Sequence, residues 1–125
     1  MAVAAAVEYV NPKMEATVHA AEIKKMNVEG EIKGCIVDGP LAIDIAFNRD
    51  AAIHKGIKGE VAGDCDIVIM PDIDAGNMVY KTLNFLGGAN SASIITGASV
   101  PIVLTSRSDD DKTKLLSIAL ACLMV

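Results

Sequence analysis

The sequence predicts one α/β domain that has a parallel or mixed sheet with helices on both faces. Apolar runs of strand length alternate with helical patterns along residues 1–125, which is typical of α/β proteins. The composition is 52% hydrophobic and 22% charged, and this favours a folded core over disorder. Aromatic residues make up only 3%, so the core is expected to consist of Val, Ile, Leu, Met and Ala side chains.

The amino-terminal segment predicts two helices. Residues 1–10 are rich in alanine and resemble the end of a helix whose beginning lies elsewhere, because Met1 offers neither a cap nor a preceding turn. After the break at Asn11-Pro12, the spacing of the apolar residues predicts an amphipathic helix over residues 14–26.

A strand, a short helix and a surface segment are expected next. Residues 32–37 form an apolar run before a tight turn at residues 38–40, a pattern that predicts a strand. A short helix is expected over residues 41–47. Residues 48–63 combine charged side chains with glycines, which predicts a mobile or partner-facing surface segment with little core.

A second strand and helix follow. Residues 66–70 form a nearly continuous apolar run with β-branched side chains, as expected of a strand that is covered on both faces. The next helix is expected over residues 78–86, where the glycine pair at 87–88 ends it.

The carboxyl-terminal segment predicts two strands and a helix. The strands are expected over residues 93–96 and 101–105, and their short connection allows a hairpin as well as a crossover. An amphipathic helix is expected over residues 112–124, capped by Ser108 or Asp109.

Charge and cysteine pattern exclude several classes of function. The net charge of −5 argues against nucleic-acid binding, which requires a strongly basic surface. No segment has the apolar length of a membrane span or the basic start of a signal peptide. Cys35, Cys65 and Cys122 are far apart and lack ligand spacing, so we expect buried structural thiols, no metal site, no bound cofactor and a cytoplasmic location.

Three loops combine a preceding strand, small or polar residues and a following helix. In open α/β sheets, ligands bind at the carboxyl ends of strands, so we expect the three loops to lie on one rim. The turn-forming and helix-capping roles of their polar residues are the simpler alternatives. The candidate substrate-binding residues of the first two loops are Asp38, Gly39 and Pro40, and Asp72, Gly76 and Asn77.

The third loop, Thr105 to Asp109, is the most informative. Ser106, Arg107 and Ser108 precede a predicted helix, whose amino terminus has unpaired N–H groups and the positive end of the helix dipole. Arg107 can bind a phosphate or carboxylate with two parallel hydrogen bonds. In the alternative, the serines only cap the helix, and Arg107 pairs with one of the aspartates at 109–111.

Four blocks of the sequence resemble the phosphate acetyl/butyryl transferase family, and phosphate butyryltransferases in particular. The blocks are VNPKMEATVHAAEIKKM, IKGCIVDGPLAIDIAF, EVAGDCDIVIMPDIDAGNMVYKTL and GASVPIVLTSRSDDDKTKLLSIALA, and together they cover almost the entire chain in the family's order. The resemblance implies part of a fold like that of isocitrate and isopropylmalate dehydrogenases. It also implies transfer of a short-chain acyl group between coenzyme A and inorganic phosphate, with acyl phosphate as product. Coenzyme A is then a substrate.

The resemblance also implies roles for the third loop. Ser106 stabilises charge or orients the thiol, and Arg107 holds the phosphoryl group. Acetyl-specific members of the family have a second arginine where this chain has Asn84 and a catalytic aspartate where it has Thr113. Asp109 is therefore a catalytic candidate, with Asp110 and Asp111 as alternatives, although an acidic run at this position also stabilises a helix amino terminus.

Family members carry a further amino-terminal domain about as large as this chain. The resemblance therefore implies that residues 1–125 match the carboxyl-terminal part of the enzyme and that the amino-terminal domain is absent from the sequence. Exposed apolar faces are then expected to cause homo-oligomerisation or pairing with that domain. The alternative function is a non-catalytic α/β module that binds phosphate or coenzyme A, or that pairs with a separately encoded amino-terminal half.

Overall fold

The computed structural model describes all 125 residues, which form both helices and strands. Contacts group them into two compact units, Met1–Asn77 and Met78–Val125. In chain order the elements are β1 (Ala2–Ala4), α1 (Glu15–Val28), β2 (Asp38–Leu41), α2 (Ile43–Phe47), α3 (Arg49–His54), β3 (Val68–Ile69), α4 (Ile73–Lys81), β4 (Ile94–Ile95), β5 (Ile102–Val103) and α5 (Asp111–Cys122).

The first unit is built on a parallel sheet of three strands in the order β2-β1-β3. The central strand β1 is buried over its whole length. The helix end predicted for residues 1–10 is therefore wrong. Alanine has a high intrinsic helix propensity, but pairing with distant strands outweighs it here. The backbone of β1 is paired on both sides, as in the hydrogen bond from the Ala2 amide to the Ile67 carbonyl oxygen at 2.8 Å.

Helices cover both faces of this sheet. Successive residues of a strand point to opposite faces, and Ala2 and Val3 accordingly belong to two separate hydrophobic clusters. Ala2 packs with residues of α2 and α3, whereas Val3 packs with Ala20 of α1. The predicted α/β class, with a parallel sheet between helices, is confirmed for this unit.

The second strand of the sheet lies later in the sequence than predicted. Residues 32–37 form no strand, because the side chain of Asn27 binds their backbone: it donates to the carbonyl oxygens of Ile32 and Cys35, at 2.9 and 3.0 Å, and accepts from the Val37 amide at 3.0 Å. The predicted turn at 38–40 is instead the start of β2. Its Pro40 is tolerated because β2 is an edge strand.

The segment from 48 to 63 contributes to the core, contrary to prediction. It contains α3, which Asn48 caps by accepting hydrogen bonds from the amides of Asp50 and Ala51. Ala52, Val61 and Ala62 are buried in the same cluster as Ala2. The sequence did not predict this burial, because the apolar residues of the segment follow neither the helix period nor the strand period.

The third strand and the helix after it differ from prediction in extent. Strand β3 has only two residues, and Ile69 is 39% exposed, so the strand is not covered on both faces. Helix α4 begins at Ile73 instead of residue 78, because the Asp72 carboxylate accepts a hydrogen bond from the Ala75 amide at 2.7 Å. A π-helical segment, Thr82–Leu86, continues it to the predicted end at Gly87.

The second unit contains a two-stranded antiparallel sheet and α5. Strands β4 and β5 pair as the hairpin that the short connection allowed. The buried Ser117 hydroxyl of α5 accepts from the amide of Ser93, the residue before β4, at 2.9 Å and donates to the Thr113 carbonyl oxygen within α5 at 2.7 Å. No helix in the structure has both the length and the apolar composition required to cross a membrane.

The cysteines are less buried than predicted. All three are free thiols; Cys35 and Cys122 are exposed, and Cys65 is partly buried. The expectation of buried structural thiols is therefore wrong for Cys35 and Cys122, because neither lies on a face that the sheet or a helix covers.

Replacement of Gly39 by alanine is expected to destabilise the protein. A Cβ atom at residue 39 would lie 2.9 Å from the Val3 carbonyl oxygen and 3.3 Å from the Ala20 Cβ, where α1 packs closely on the sheet. Such overpacking lowers the free energy of unfolding by about 1–3 kcal/mol. Chemical denaturation of Gly39→Ala would measure this change.

Gly76→Ala is the matched control. A Cβ atom there would lie 3.6 Å from the Met70 Cβ, which is an ordinary contact. Because Gly76 lies inside helix α4, the free energy of unfolding should rise by about 0.5–1 kcal/mol. Equal effects of the two substitutions would contradict the assigned packing of Gly39.

Candidate functional site

A cluster of three polar side chains lies within the second unit, and we call it the Lys81 cluster: Lys81, Ser106 and Ser108. The Lys81 ammonium donates to the hydroxyls of Ser106 and Ser108, at 3.0 and 3.1 Å, and the two hydroxyl oxygens lie 3.0 Å apart. Its nitrogen also lies 5.3 Å and 5.4 Å from the ring centroids of Tyr80 and Phe85, within range of a cation–π interaction. The cluster thus combines one positive charge with two hydroxyls, a set that suits an anionic ligand.

The Asp109 carboxylate holds the loop that carries the two serines. One carboxylate oxygen accepts from the Ser106 amide at 2.7 Å, and the other accepts from the Tyr80 hydroxyl at 2.9 Å. Asp109 is only 8% exposed and forms no ion pair. A buried carboxylate without such donors would be strongly destabilising, so these two bonds stabilise one arrangement of the loop.

The following helix is capped by Asp110, and not by Ser108 or Asp109 as predicted. The Asp110 carboxylate accepts from the Thr113 amide at 2.7 Å, and this hydrogen bond holds the pKa of that carboxyl below its usual range. Because a carboxylate already occupies the amino terminus of α5, a second anion is disfavoured there. An anion site at the helix amino terminus itself is therefore disfavoured.

A cavity of about 230 Å³ adjoins the Lys81 cluster through Ser108. Its walls combine polar and apolar groups. The carboxylates of Asp109 and Asp110 make the cavity better suited to neutral or hydrogen-bond-donating groups than to a phosphate. The lining residues are Asn84, Phe85, Ala89, Ser108, Asp109, Asp110 and Thr113.

Arg107 is exposed in the turn that contains these serines. The Asp109 amide donates to the Ser106 carbonyl oxygen at 3.1 Å, which closes a turn with Arg107 and Ser108 at its two central positions. Arg107 forms no ion pair, so the alternative in which it pairs with one of the aspartates at 109–111 is not observed. Its guanidinium remains available to a ligand.

The residues of the first predicted loop have structural roles. Asp38 forms an ion pair with Lys24 at 2.7 Å and also accepts from the Gly39 amide at 2.9 Å. Gly39 and Pro40 are buried in β2. These three residues therefore belong to a strand and not to a loop that follows one.

The second predicted loop lies at the start of α4. Asp72 caps this helix, Gly76 lies in its second turn, and Asn77 is exposed. The third loop follows β5, which belongs to the separate antiparallel sheet. The prediction that all three loops follow strands of one sheet is therefore wrong, because β4 and β5 pair with each other.

Sequence reasoning missed Tyr80 and Lys81. Both lie in the last turn of α4, 25 or more residues before the serines and the aspartate that they contact. The available signal was modest: Lys81 is four residues after the candidate residue Asn77, so it lies one helical turn further along.

Residues 1–122 of the chain match the protein-family model described as "Phosphate acetyl/butaryl transferase". The chain belongs to this family. Among curated relatives, a phosphate butyryltransferase of Clostridium acetobutylicum is 55% identical over 95% of the chain. A phosphate acetyltransferase of Thermotoga maritima is 56% identical over 97% of it, and a probable phosphate butyryltransferase of Bacillus subtilis is 58% identical over 94%.

A solved structure supports the same relationship. The crystal structure of a branched-chain phosphotransacylase from Enterococcus faecalis V583 matches 97% of the chain with a TM-score of 0.85 and 40% sequence identity. The chain spans 43% of that protein and 39–41% of the three curated relatives.

Two positions at which acetyl-specific members of the phosphate acetyl/butyryl transferase family are expected to differ lie together in this chain. Asn84 and Thr113, where the resemblance predicts an arginine and an aspartate in those members, both line the cavity beside the Lys81 cluster. Both of these side chains are neutral, and the carboxylates that line the cavity are those of Asp109 and Asp110.

Replacement of Asp110 by alanine is expected to lower the melting temperature at neutral pH. The folded-state pKa of Asp110 is below the ordinary value of 3.8, so its stabilising contribution is present above that value and is lost as the pH falls through the folded-state pKa. The melting temperatures of wild type and Asp110→Ala should therefore converge in acid. Thermal unfolding followed by circular dichroism at several pH values would measure the difference.

Asp110→Asn is the control for this measurement. Asparagine caps helices as well as aspartate does, so the variant should keep stability near neutral pH without the acid dependence. A difference between wild type and Asp110→Ala that persists unchanged in acid would contradict the role of the carboxylate as the cap.

Proposed function

We propose that this chain carries the phosphate-handling part of a phosphate acyltransferase of the phosphate butyryltransferase type. The reaction is acyl-CoA + phosphate = acyl phosphate + CoA, with a short-chain acyl group. The observation that carries the proposal is the Lys81 cluster, in which an ammonium group binds two hydroxyls beside an unpaired arginine. The names of the relatives support the same reaction.

The Lys81 cluster and Arg107 are suited to the phosphoryl group. The ammonium of Lys81 has three N–H donors, of which the two serines accept two. Arg107 adds the planar pair of donors that matches phosphate oxygens. The carboxylates of Asp109 and Asp110 disfavour the phosphate inside the adjoining cavity, and this electrostatic difference orients the acyl phosphate.

The transfer to coenzyme A requires no covalent intermediate with the protein. The sulfur of coenzyme A forms a bond to the acyl carbonyl carbon while the bond from that carbon to the phosphate oxygen breaks, and the phosphate leaves carrying the proton that the thiol loses. Lys81 and Arg107 stabilise the negative charge that develops on the leaving group. The Ser106 hydroxyl donates to an oxygen of the reacting group, or it orients the thiol whose proton is lost.

We further propose that the chain corresponds to the carboxyl-terminal α/β part of an enzyme with a fold like that of isocitrate and isopropylmalate dehydrogenases. An amino-terminal domain would complete the cleft and contact coenzyme A. Asp38, Gly39, Pro40, Asp72, Gly76 and Asn77 remain candidates for substrate binding in that cleft. Free thiols at Cys35 and Cys122 are compatible with a cytoplasmic location.

One observation favours the alternative of a module that pairs with a separate amino-terminal half. The buried residues of the second unit are Asp109, Thr113, Ser117 and Ala121, none of which is a large apolar side chain. Leu115 and Ile118 lie three residues apart on α5, and they are 66% and 53% exposed. This unit therefore exposes apolar surface that a partner domain or a second copy of the chain could cover.

Activity measurements test the main proposal. The purified chain, given butyryl phosphate and coenzyme A either alone or together with the amino-terminal part of the Bacillus subtilis relative, should form a thioester, which is followed by its absorbance. Arg107→Ala and Lys81→Ala should each lower kcat/KM by about tenfold or more, because hydrogen bonds to charged groups contribute about 1.5–3 kcal/mol. Following the thioester avoids thiol reagents, which would react with the exposed cysteines.

Lys58→Ala is the matched control for Lys81→Ala, since it removes the same charge at an exposed position of the first unit. It should leave kcat/KM unchanged. Activity that appears only after addition of the amino-terminal part of the Bacillus subtilis relative would favour the paired module. A folded chain that neither transfers butyryl groups in either arrangement nor binds phosphate would refute both functions.

A further inference from the structure

We propose that Asp109 is a positioning residue that holds Arg107 and the Lys81 cluster in their ligand-binding arrangement, and that it does not act as the general base. The two hydrogen bonds that the carboxylate accepts, from the Ser106 amide and the Tyr80 hydroxyl, carry this inference. Its consequence for acyl transfer rests on the proposed function. Its consequence for the geometry of the loop does not.

The turn at residues 106–109 is closed twice by the same residue. The Asp109 amide donates to the Ser106 carbonyl oxygen at 3.1 Å, and the Asp109 carboxylate accepts from the Ser106 amide at 2.7 Å. Both backbone polar groups of Ser106 are thus bound to Asp109. Arg107 and Ser108, at the centre of the turn, can rearrange only if these bonds break.

Tyr80 connects this turn to the helix that supplies Lys81. Tyr80 and Lys81 are adjacent in α4, and one contacts Asp109 while the other contacts the two serines. The carboxylate therefore sets the position of the turn relative to the ammonium group. Without this connection, the hydroxyls of Ser106 and Ser108 would lose their fixed distance from the Lys81 nitrogen.

The hydrogen bonds determine which protons the cluster can offer to a ligand. An ammonium group only donates, so the oxygens of Ser106 and Ser108 both act as acceptors toward Lys81. One hydroxyl proton forms the bond between the two oxygens, which are 3.0 Å apart. The other hydroxyl proton is left to donate to a ligand oxygen. This pattern of donors and acceptors depends on the position of Ser106, which Asp109 holds.

The same contacts argue against Asp109 as the base for the thiol. Each carboxylate oxygen already accepts a hydrogen bond, and the residue is 8% exposed. A proton that arrived on the oxygen bound to the Ser106 amide would weaken that bond, which closes the turn, and a proton on the other oxygen would reverse the direction of the bond to Tyr80. A base that disrupts the site on each turnover is a poor arrangement for catalysis.

Substitution by asparagine distinguishes positioning from proton transfer. In Asp109→Asn, the amide oxygen can accept from the Ser106 N–H, and the amide nitrogen can donate to the Tyr80 hydroxyl, so both connections survive while the carboxylate is removed. Asp109→Ala removes both connections. Tyr80→Phe removes only the bond to the helix. Asp66→Asn, at an exposed carboxylate of the first unit, is the control for loss of a negative charge.

Two measurements on the full chain are required: the hydrogen-exchange rate of the Ser106 amide by NMR, and the affinity for inorganic phosphate by calorimetry. Asp109→Asn should stay within about threefold of wild type in both, whereas Asp109→Ala should accelerate exchange and weaken phosphate binding by about tenfold or more. Tyr80→Phe should weaken phosphate binding more than it accelerates exchange. The pH profile of thioester formation should coincide in wild type and Asp109→Asn.

The inference is overturned if Asp109→Asn is impaired as strongly as Asp109→Ala, or if Asp109→Ala changes neither measurement. Should Asp109→Ala fail to fold, the comparison of Asp109→Asn with wild type still decides, since a tenfold faster Ser106 exchange would contradict positioning. Absence of both phosphate binding and acyl transfer in the wild type would refute the proposed function, while Ser106 exchange would still decide whether Asp109 holds the turn.

Discussion

The second unit depends on a buried carboxylate, that of Asp109. Charged groups are strongly disfavoured in a protein interior unless donors surround them, and Asp109 meets this requirement with one backbone amide and one tyrosine hydroxyl. The position of the turn, and with it the display of Arg107, follows from this requirement. The unit buries no large apolar side chain. Polar contacts of this kind therefore fix the arrangement of its segments, which a hydrophobic core usually does.

The first unit depends on the opposite kind of interaction, the packing of very small apolar residues. Ala2, Val3 and Ala4 form the central strand, and Ala20 and Gly39 allow α1 to approach it closely. Their short side chains leave little room for rearrangement, because an added methyl group at residue 39 would lie closer than van der Waals distance to backbone and side-chain atoms. The result is a parallel sheet whose central strand is covered on both faces.

Membership in the phosphate acetyl/butyryl transferase family gives the Lys81 cluster its chemical context. A single ammonium group, two hydroxyls and an unpaired guanidinium form a suitable surface for a phosphoryl group, although the chain as a whole is acidic. Local placement of donors therefore matters more than net charge. Asn84 and Thr113 contribute neutral side chains to the adjoining cavity.

The sequence by itself determined the α/β class, helices α1 and α5, the end of the helical segment at Gly87 and the loop of Ser106 and Arg107. These features depend on the period of apolar residues and on turn-forming residues, which are local properties. The resemblance of four sequence blocks supplied the family, which the comparisons confirmed.

Only the tertiary structure decided β1, β2 and the members of the Lys81 cluster. Residues 2–4 form a strand because distant strands pair with them on both sides, and residues 32–37 do not, because the Asn27 side chain binds their backbone. Lys81 meets Ser106 across 25 residues of sequence. Such contacts are invisible to local patterns, since they depend on which segments the folded chain brings together.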